Sequence, residues 1–233
     1  MIGLVAFDGD DTLWHSESEF AVTQERLRDL LSPHCDPTVL DARLLEVERR
    51  NLELYGYGAK AFTLSVLETA LEVVGESLTA TDVRGILTIG KDLLAHPVEL
   101  LAGAADALTW AAERWPTIII TKGDLFHQES KVARSGLGES LRGVDVVAEK
   151  DVAAYVRVCA RHGCAPERFV MVGNSLHSDI EPVLALGGWG VHVPYPLTWD
   201  LDRADDEEAV RANERFRSIT SLVELSETLA TLH

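Results

Sequence analysis

The chain has 233 residues, 46% of them apolar and 25% charged, the balance of a soluble globular protein able to bury a sizeable core. Acidic residues outnumber basic ones 38 to 21, and the formal net charge of −17 repels phosphate backbones and anionic lipid; no basic run offsets it, so nucleic acid and membranes are not expected as partners. Cys35, Cys159 and Cys164 form neither a disulfide framework nor a zinc signature, and no segment has the apolar length of a membrane span.

From Ile2 to Phe7 the residues are nearly all apolar, which predicts a strand buried on both faces. The run stops at Asp8, too short for the apolar region of a signal peptide, and no basic leader precedes it; a cytoplasmic protein is expected. Four helices follow: one opened by Ser16 or Ser18 through "EFAVTQERLRDLL", a second over "TVLDARLLEVERRNLELYG", a third over "AKAFTLSVLETALEVVG", and a fourth, opened by Thr79 or Thr81, ending before Pro97. Beyond Pro97 the pattern alternates. "GAADALTWAAERW" is helical, "PTIIIT" a strand, "FHQESKVARSGL" helical, "GVDVVAE" a strand, "DVAAYVRVCARHG" helical, "RFVMVG" a strand, "SDIEPVLALG" helical and "GWGVHVP" a strand. "DLDRADDEEAVRANERFR" reads as a solvated loop or surface helix, and "SLVELSETLATL" as a closing helix. Alternation of this kind implies crossover units and a parallel sheet. The fold class is therefore α/β, a doubly wound parallel sheet built from residues 1–15 and 97–233, with an inserted all-helical domain over 16–96.

In such sheets ligands bind at the carboxyl ends of the strands. The first strand ends in Asp8, Gly9 and Asp10, "PTIII" in Thr121, Lys122 and Gly123, "VDVVAE" is followed by Lys150, and "RFVMVG" leads into Asn174 and Asp179. This set suits phosphoryl chemistry. A metal ion held by Asp8 and by oxygens of the last turn shields the phosphate from a carboxylate that is otherwise repelled. Asp8 then attacks phosphorus, and Asp10 protonates the leaving oxygen and activates water. Lys150, Thr121 and a backbone N–H near Lys122 or Gly123 bind the phosphoryl oxygens.

These residues, "FDGDDTL", Thr121 after "PTIII", Lys150 in "AEKD" and "VMVGNSLHSD", resemble in order the four motifs of the haloacid dehalogenase superfamily, and the helical insertion falls where that family carries a helical cap. The resemblance implies Asp8 as nucleophile, Asp10 as general acid and base, and Thr121 and Lys150 holding the phosphoryl group, with Gly9, Lys122 and Gly123 on its binding side. It also implies Mg²⁺, bound by the Asp8 carboxylate, the Asp10 carbonyl and the final motif, where Asn174 and Asp179 are the candidate ligands. Members that dehalogenate 2-haloacids lack an acid at the position of Asp10, so the chain resembles the phosphatases. Asn174 departs from the commoner Asp, removing one negative charge from the metal site.

Asp11 and Thr12 are expected to support the turn, Trp14 to pack in the core, Lys122 to be solvated with its backbone N–H the useful part, and His177 to lie on a helix surface. The glycines of "YGYGAK" can present Tyr57 and Lys60 to a substrate. The expectation is a phosphomonoesterase whose cap closes over a small phosphorylated metabolite. Its rivals are a phosphomutase, a phosphonate hydrolase using a cap lysine, a receiver domain, which places its phosphoacceptor and acid pair on different strands, and a non-catalytic phosphate-binding protein. The sequence assigns neither a particular substrate nor an oligomeric state.

Overall fold

Leu4–Phe7, four consecutive buried apolar residues, form β1 near the middle of a sheet whose two faces are covered by helices. The computed structural model describes residues 1–197 and 206–232. Its elements are, in order, β1, helices α1 (Glu17–Leu31), α2 (Pro37–Tyr55), α3 (Ala59–Val74), α4 (Ala80–Ala95) and α5 (Ala104–Ala112), then β2 (Thr117–Lys122), α6 (Leu125–Ser135), β3 (Gly143–Val147), α7 (Val152–His162), β4 (Phe169–Gly173), α8 (Glu181–Ala185), β5 (Trp189–His192), α9 (Glu207–Arg211), β6 (Phe216–Ser218) and α10 (Leu225–Ala230). All pairings are parallel, in the spatial order β3-β2-β1-β4-β5-β6. The chain divides into two compact units, Met1–Glu17 with Val98–His233, and Ser18–Pro97.

Successive residues of a strand face opposite sides, and the two sides of this sheet have separate cores. Val5, Phe7, Ile119, Val170, Val172 and Val191 pack with Ala104 and Leu108 of α5, Val132 of α6 and Leu225 and Leu229 of α10. Leu4, Ala6, Ile118, Ile120 and Met171 pack on the other side with Tyr155 and Val158 of α7 and Val183 of α8. The order of the strands places β1 between β2 and β4, where the connections reverse direction, so a crevice forms at their carboxyl ends. Phe7 is level with Ile119 on one side and Val172 on the other, which brings Asp8, the end of β2 and Asn174 to the same edge.

The helical unit has its own core of leucine and isoleucine, with Phe62, on α1 to α4. Its helices start where side chains satisfy the first free N–H groups. Asp36 caps α2, with Pro37 at its first position, and Thr79, not Thr81, opens α4 in a reciprocal capping box with Asp82. Among the described residues no helix is long and apolar enough to cross a membrane.

The stretch expected to be a solvated loop or surface helix holds a short exposed helix and, beyond that expectation, a strand. Its first residues, 200–205, lie outside the described residues, but the remainder holds the short α9 and then β6, whose Phe216 pairs with Gly190. Three residues including an arginine carry too little apolar pattern to be read as a strand, and Arg217 instead lies 4.8 Å over the Trp189 ring. The closing helix is likewise shorter than the sequence suggests, a 3₁₀ turn at Leu222–Glu224 leading into α10.

His127 on α6 is buried, and its ionisation is linked to folding. Desolvation, with the positive charges of Lys131 and Arg134, pushes its imidazole down to about 4 against the pull of Asp10 and Asp124. The unfolded chain takes up that proton near pH 6.5 and the folded chain does not, so the contribution is nil above about pH 7 and destabilising as pH falls toward 4. Urea melts of wild type and His127→Gln are expected to converge by roughly 2–3 kcal/mol between pH 7 and pH 4.5, because groups common to both proteins cancel. A stability difference independent of pH would contradict this.

Candidate active site

The first strand delivers Asp8 to the edge by extending its ladder one residue further, the Asp8 N–H donating to Val172 O at 2.9 Å. The chain then turns back tightly. The Gly9 carbonyl accepts the N–H groups of Thr12, Leu13 and Trp14, and Asp11 adopts φ +61°, a conformation that short polar side chains tolerate best. Gly9 is required for space, since a Cβ there would lie 2.6 Å from the Trp14 ring. Asp11 spans the turn as expected, its carboxylate accepting the backbone N–H groups of Ser16 and Glu17. Burial pushes its carboxyl up to about 7 against those bonds.

The two oxygens of Asp8 face different partners. Oδ1 accepts from Lys150 Nζ, which also donates to Asp179 Oδ1 at 2.6 Å; Lys150 thus bridges two buried carboxylates. Oδ2 accepts from Thr12 Oγ1 at 3.3 Å. Burial raises the Asp8 carboxyl, the Asp179 charge adds to that, and Lys150 opposes both. Burial by itself would lower the Lys150 ammonium, but its two carboxylate partners hold it well above the ordinary lysine value. The cluster therefore places one positive charge between two acids.

Asp179 reaches this position because β4 ends in glycine. A Cβ on Gly173 would fall 2.2 Å from Asp179 Oδ2, the atom that accepts the Ser175 N–H at 3.0 Å. Gly173→Ala is expected to force Asp179 off Lys150 and to cost about 1–3 kcal/mol, measured by denaturant melts. A variant as stable as wild type would show that the turn can yield.

Asn174 closes the opposite side of Asp8. The end of its side chain lies 3.2 Å from Thr12 Oγ1, 3.3 Å from Asp8 Oδ2 and 3.3 Å from the Asp10 carbonyl. With its NH₂ turned inward the amide donates to these atoms; with its oxygen turned inward it completes a cluster of oxygens that a cation can hold together. Neighbouring ligands of an octahedral magnesium ion stand about 3 Å apart, close to the observed separations, so the donor set fits that metal. Among the described residues no three His, Cys, Asp or Glu side chains converge as a metal site. The available oxygens are one carboxylate, one main-chain carbonyl and one amide. Asp179, expected as a further candidate ligand, lies across Lys150 from Asp8 and has both oxygens engaged.

Asp10 was expected at the leaving-group side, and its surroundings are richer than the sequence suggests. Oδ1 accepts from Trp14 Nε1 and from Lys131 Nζ, each at 2.6 Å, and Oδ2 from Gln128 Nε2 at 2.9 Å. Burial alone would raise this carboxyl; the Lys131 charge and the three donors outweigh it and hold it below the ordinary value. Trp14 is fully buried in the core, as expected, and also supplies one of these bonds.

Thr121 is buried at the end of β2, its hydroxyl donating to the Lys122 carbonyl at 3.3 Å. Gly123 has φ +123°, so the chain bends away there with Gln128 close behind it. The Lys122 side chain is not solvated. Nζ donates to Ser178 Oγ at 2.9 Å and lies 3.6 Å from Glu149, tying the end of β2 to the turn after β4, a neighbour more than fifty residues distant. His177 is half exposed beside Glu181. Tyr57 lies in the turn between α2 and α3 and Lys60 in the first turn of α3, both within the helical unit.

Sequence reasoning missed Gln128, Lys131 and His192. The first two are three residues apart on α6 and so share a face, the one signal that could have found them. His192 ends β5, buried, with desolvation depressing its imidazole below the ordinary value, and its Nε2 lies 3.0 Å from the Asn174 carbonyl.

Comparison with known proteins places these features in context. A family model described as haloacid dehalogenase-like hydrolase matches residues 2–187. No curated protein matches the chain. A haloacid dehalogenase-like family hydrolase of Xanthomonas campestris is 42% identical, with a TM-score of 0.88 over 99% of this chain and 91% of that one. Two more distant structures share the fold. A 2-haloacid dehalogenase of Pseudomonas syringae pv. Tomato has 24% identity and a TM-score of 0.64 over 99% of both chains, and a predicted phosphoglycolate phosphatase of Haemophilus somnus has 16% and 0.66 over 98% of both.

Proposed function

The chain belongs to the haloacid dehalogenase-like hydrolases, and from that premise we propose that it is a magnesium-dependent phosphomonoesterase that hydrolyses a small phosphorylated metabolite through an aspartyl phosphate on Asp8. The observation that carries this reading is the Asp10 carboxyl, two residues after the nucleophile and held in a defined orientation. A halide leaves carbon without a proton, whereas the oxygen leaving a phosphate ester needs one, so an acid at this position serves ester cleavage and is superfluous for dehalogenation.

Asp8 attacks phosphorus while Lys150 holds its carboxylate through Oδ1, which fixes the carboxylate plane for bond formation. The Asp8 carboxylate, the Asp10 carbonyl and Asn174 would hold magnesium, which would supply the neutralisation that lets two anions approach. Asn174 contributes no charge, so weaker metal binding is expected than with a second carboxylate. Asp10 takes up the proton of a monoanionic phosphate ester and passes it to the departing oxygen, which leaves as the alcohol. It then accepts a proton from the water that attacks the aspartyl phosphate, releasing inorganic phosphate and restoring Asp8. Thr121 and the main chain at Lys122 and Gly123 bind the phosphoryl oxygens.

The test is release of inorganic phosphate from p-nitrophenyl phosphate and a panel of small phosphate monoesters, with magnesium and with EDTA, beside release of chloride from 2-chloropropionate. Metal-dependent phosphate release with no chloride is the expected result. Chloride release without phosphate release would overturn the proposal in favour of a dehalogenase, and transfer of phosphate to a second hydroxyl without release would favour a mutase.

A further inference from the structure

We propose that Lys131 is a positioning residue for the leaving-group side of this reaction, holding the Asp10 carboxylate at one fixed orientation through a clamp it forms with Gln128 and Trp14. The inference rests on the reading of Asp10 as the leaving-group acid and hydrolytic base, and it assigns a function to α6.

A carboxylate on a two-bond side chain can rotate, and proton delivery to a departing oxygen tolerates little misplacement. Here rotation is opposed from three directions. Trp14, itself fully buried, donates to Oδ1 from the same turn as Asp10. Lys131 donates to the same oxygen from α6, its side chain only 12% exposed. Gln128, one turn earlier on that helix, divides its NH₂ group between Asp10 Oδ2 at 2.9 Å and the Lys122 carbonyl at 2.8 Å, coupling the turn after β1 to the end of β2. Its other amide atom, Oε1, is buried and has no hydrogen-bond partner among the described residues. The two bonds that its NH₂ group makes are both at the site. Lys131 supplies the one cation of the clamp. Without it, Trp14 and Gln128 remain as neutral donors to a carboxylate with solvent on its open side.

Nor is Lys131 placed by chance packing. It lies beside Val132, which is buried in the sheet core, so α6 cannot turn without exposing that valine, and Gln128 and Lys131 are therefore held against Asp10. The helix begins at Asp124, whose side chain accepts the His127 N–H and fixes its first turn directly after Gly123.

The test compares kcat/KM of wild type, Lys131→Met and Lys131→Arg on p-nitrophenyl phosphate and phenyl phosphate, since kcat/KM reports steps up to phosphoryl transfer. The nitrophenolate leaves without help, and phenolate benefits from a proton. Lys131→Met is expected to lose less than about threefold on p-nitrophenyl phosphate and at least about thirtyfold on phenyl phosphate, with Lys131→Arg recovering most of the difference. Equal losses on both esters would mean a merely structural role and overturn the proposal, as would no loss on either. Crystal structures of wild type and Lys131→Met decide the clamp without a substrate: the Asp10 carboxylate is expected to turn away from Trp14 and Gln128, and an unchanged carboxylate overturns the inference. If wild type cleaves neither ester nor any other monoester of the panel, the phosphatase reading fails while the structures still judge Lys131.

Discussion

Asp8→Asn is expected to reduce magnesium-dependent phosphate release by at least about a thousandfold while leaving the protein folded. The substitution is isosteric. The amide oxygen can still accept from Lys150, and Lys150 keeps its second partner, Asp179, so the buried cation is not abandoned. What is lost is the nucleophile itself, because an amide does not attack phosphorus, and with it one negative charge of the oxygen cluster around Asn174. Two measurements are needed together: phosphate release under saturating magnesium, and a thermal melt showing that the variant retains its cooperative transition. Activity within tenfold of wild type would remove Asp8 from the mechanism and with it the aspartyl-phosphate route.

The second large effect is on stability. Lys150→Met is expected to destabilise the sheet-containing unit by about 3–5 kcal/mol at neutral pH, because it strands the Asp8 and Asp179 carboxylates, both buried, on either side of an apolar side chain. For a chain of this size that corresponds to a Tm lower by roughly 10 °C. Adding Asp179→Asn to Lys150→Met should recover part of the loss by removing one of the two stranded charges. If the double variant is no more stable than the single one, electrostatics is not the reason Lys150 is buried.

Much of the arrangement was legible in the chain itself. The apolar runs Ile2 to Phe7, "PTIII" and "RFVMV" announced strands because burial on both faces leaves room for little else, and the polar residues that end each run fall at one edge because parallel strands all finish on the same side. Asp8, Thr121, Lys150 and Asn174 therefore follow from local pattern together with the handedness of crossovers. Gly173 and Gly9 could be read as turn residues, but the reason for each, the Asp179 carboxylate and the Trp14 ring pressed against it, is spatial. The strand β6 was not legible, since three residues at a sheet edge carry no period.

The sequence by itself determined the fold class, the order of β1 to β5 and their helices along the chain and the set of residues delivered to the sheet edge, since each depends on periodicity and on what may end a buried strand. Only the tertiary structure decided how those residues share their bonds. That Lys150 lies between Asp8 and Asp179, that Asn174 rather than Asp179 faces Oδ2 of Asp8, that Lys122 reaches Ser178, and that α6 turns Gln128 and Lys131 toward Asp10 are outcomes of register and helix rotation. Such partners lie up to 166 residues apart, as Asp8 and Asn174 do, and a hydrogen bond depends on tenths of an ångström and on direction, quantities that no local pattern of residue types carries.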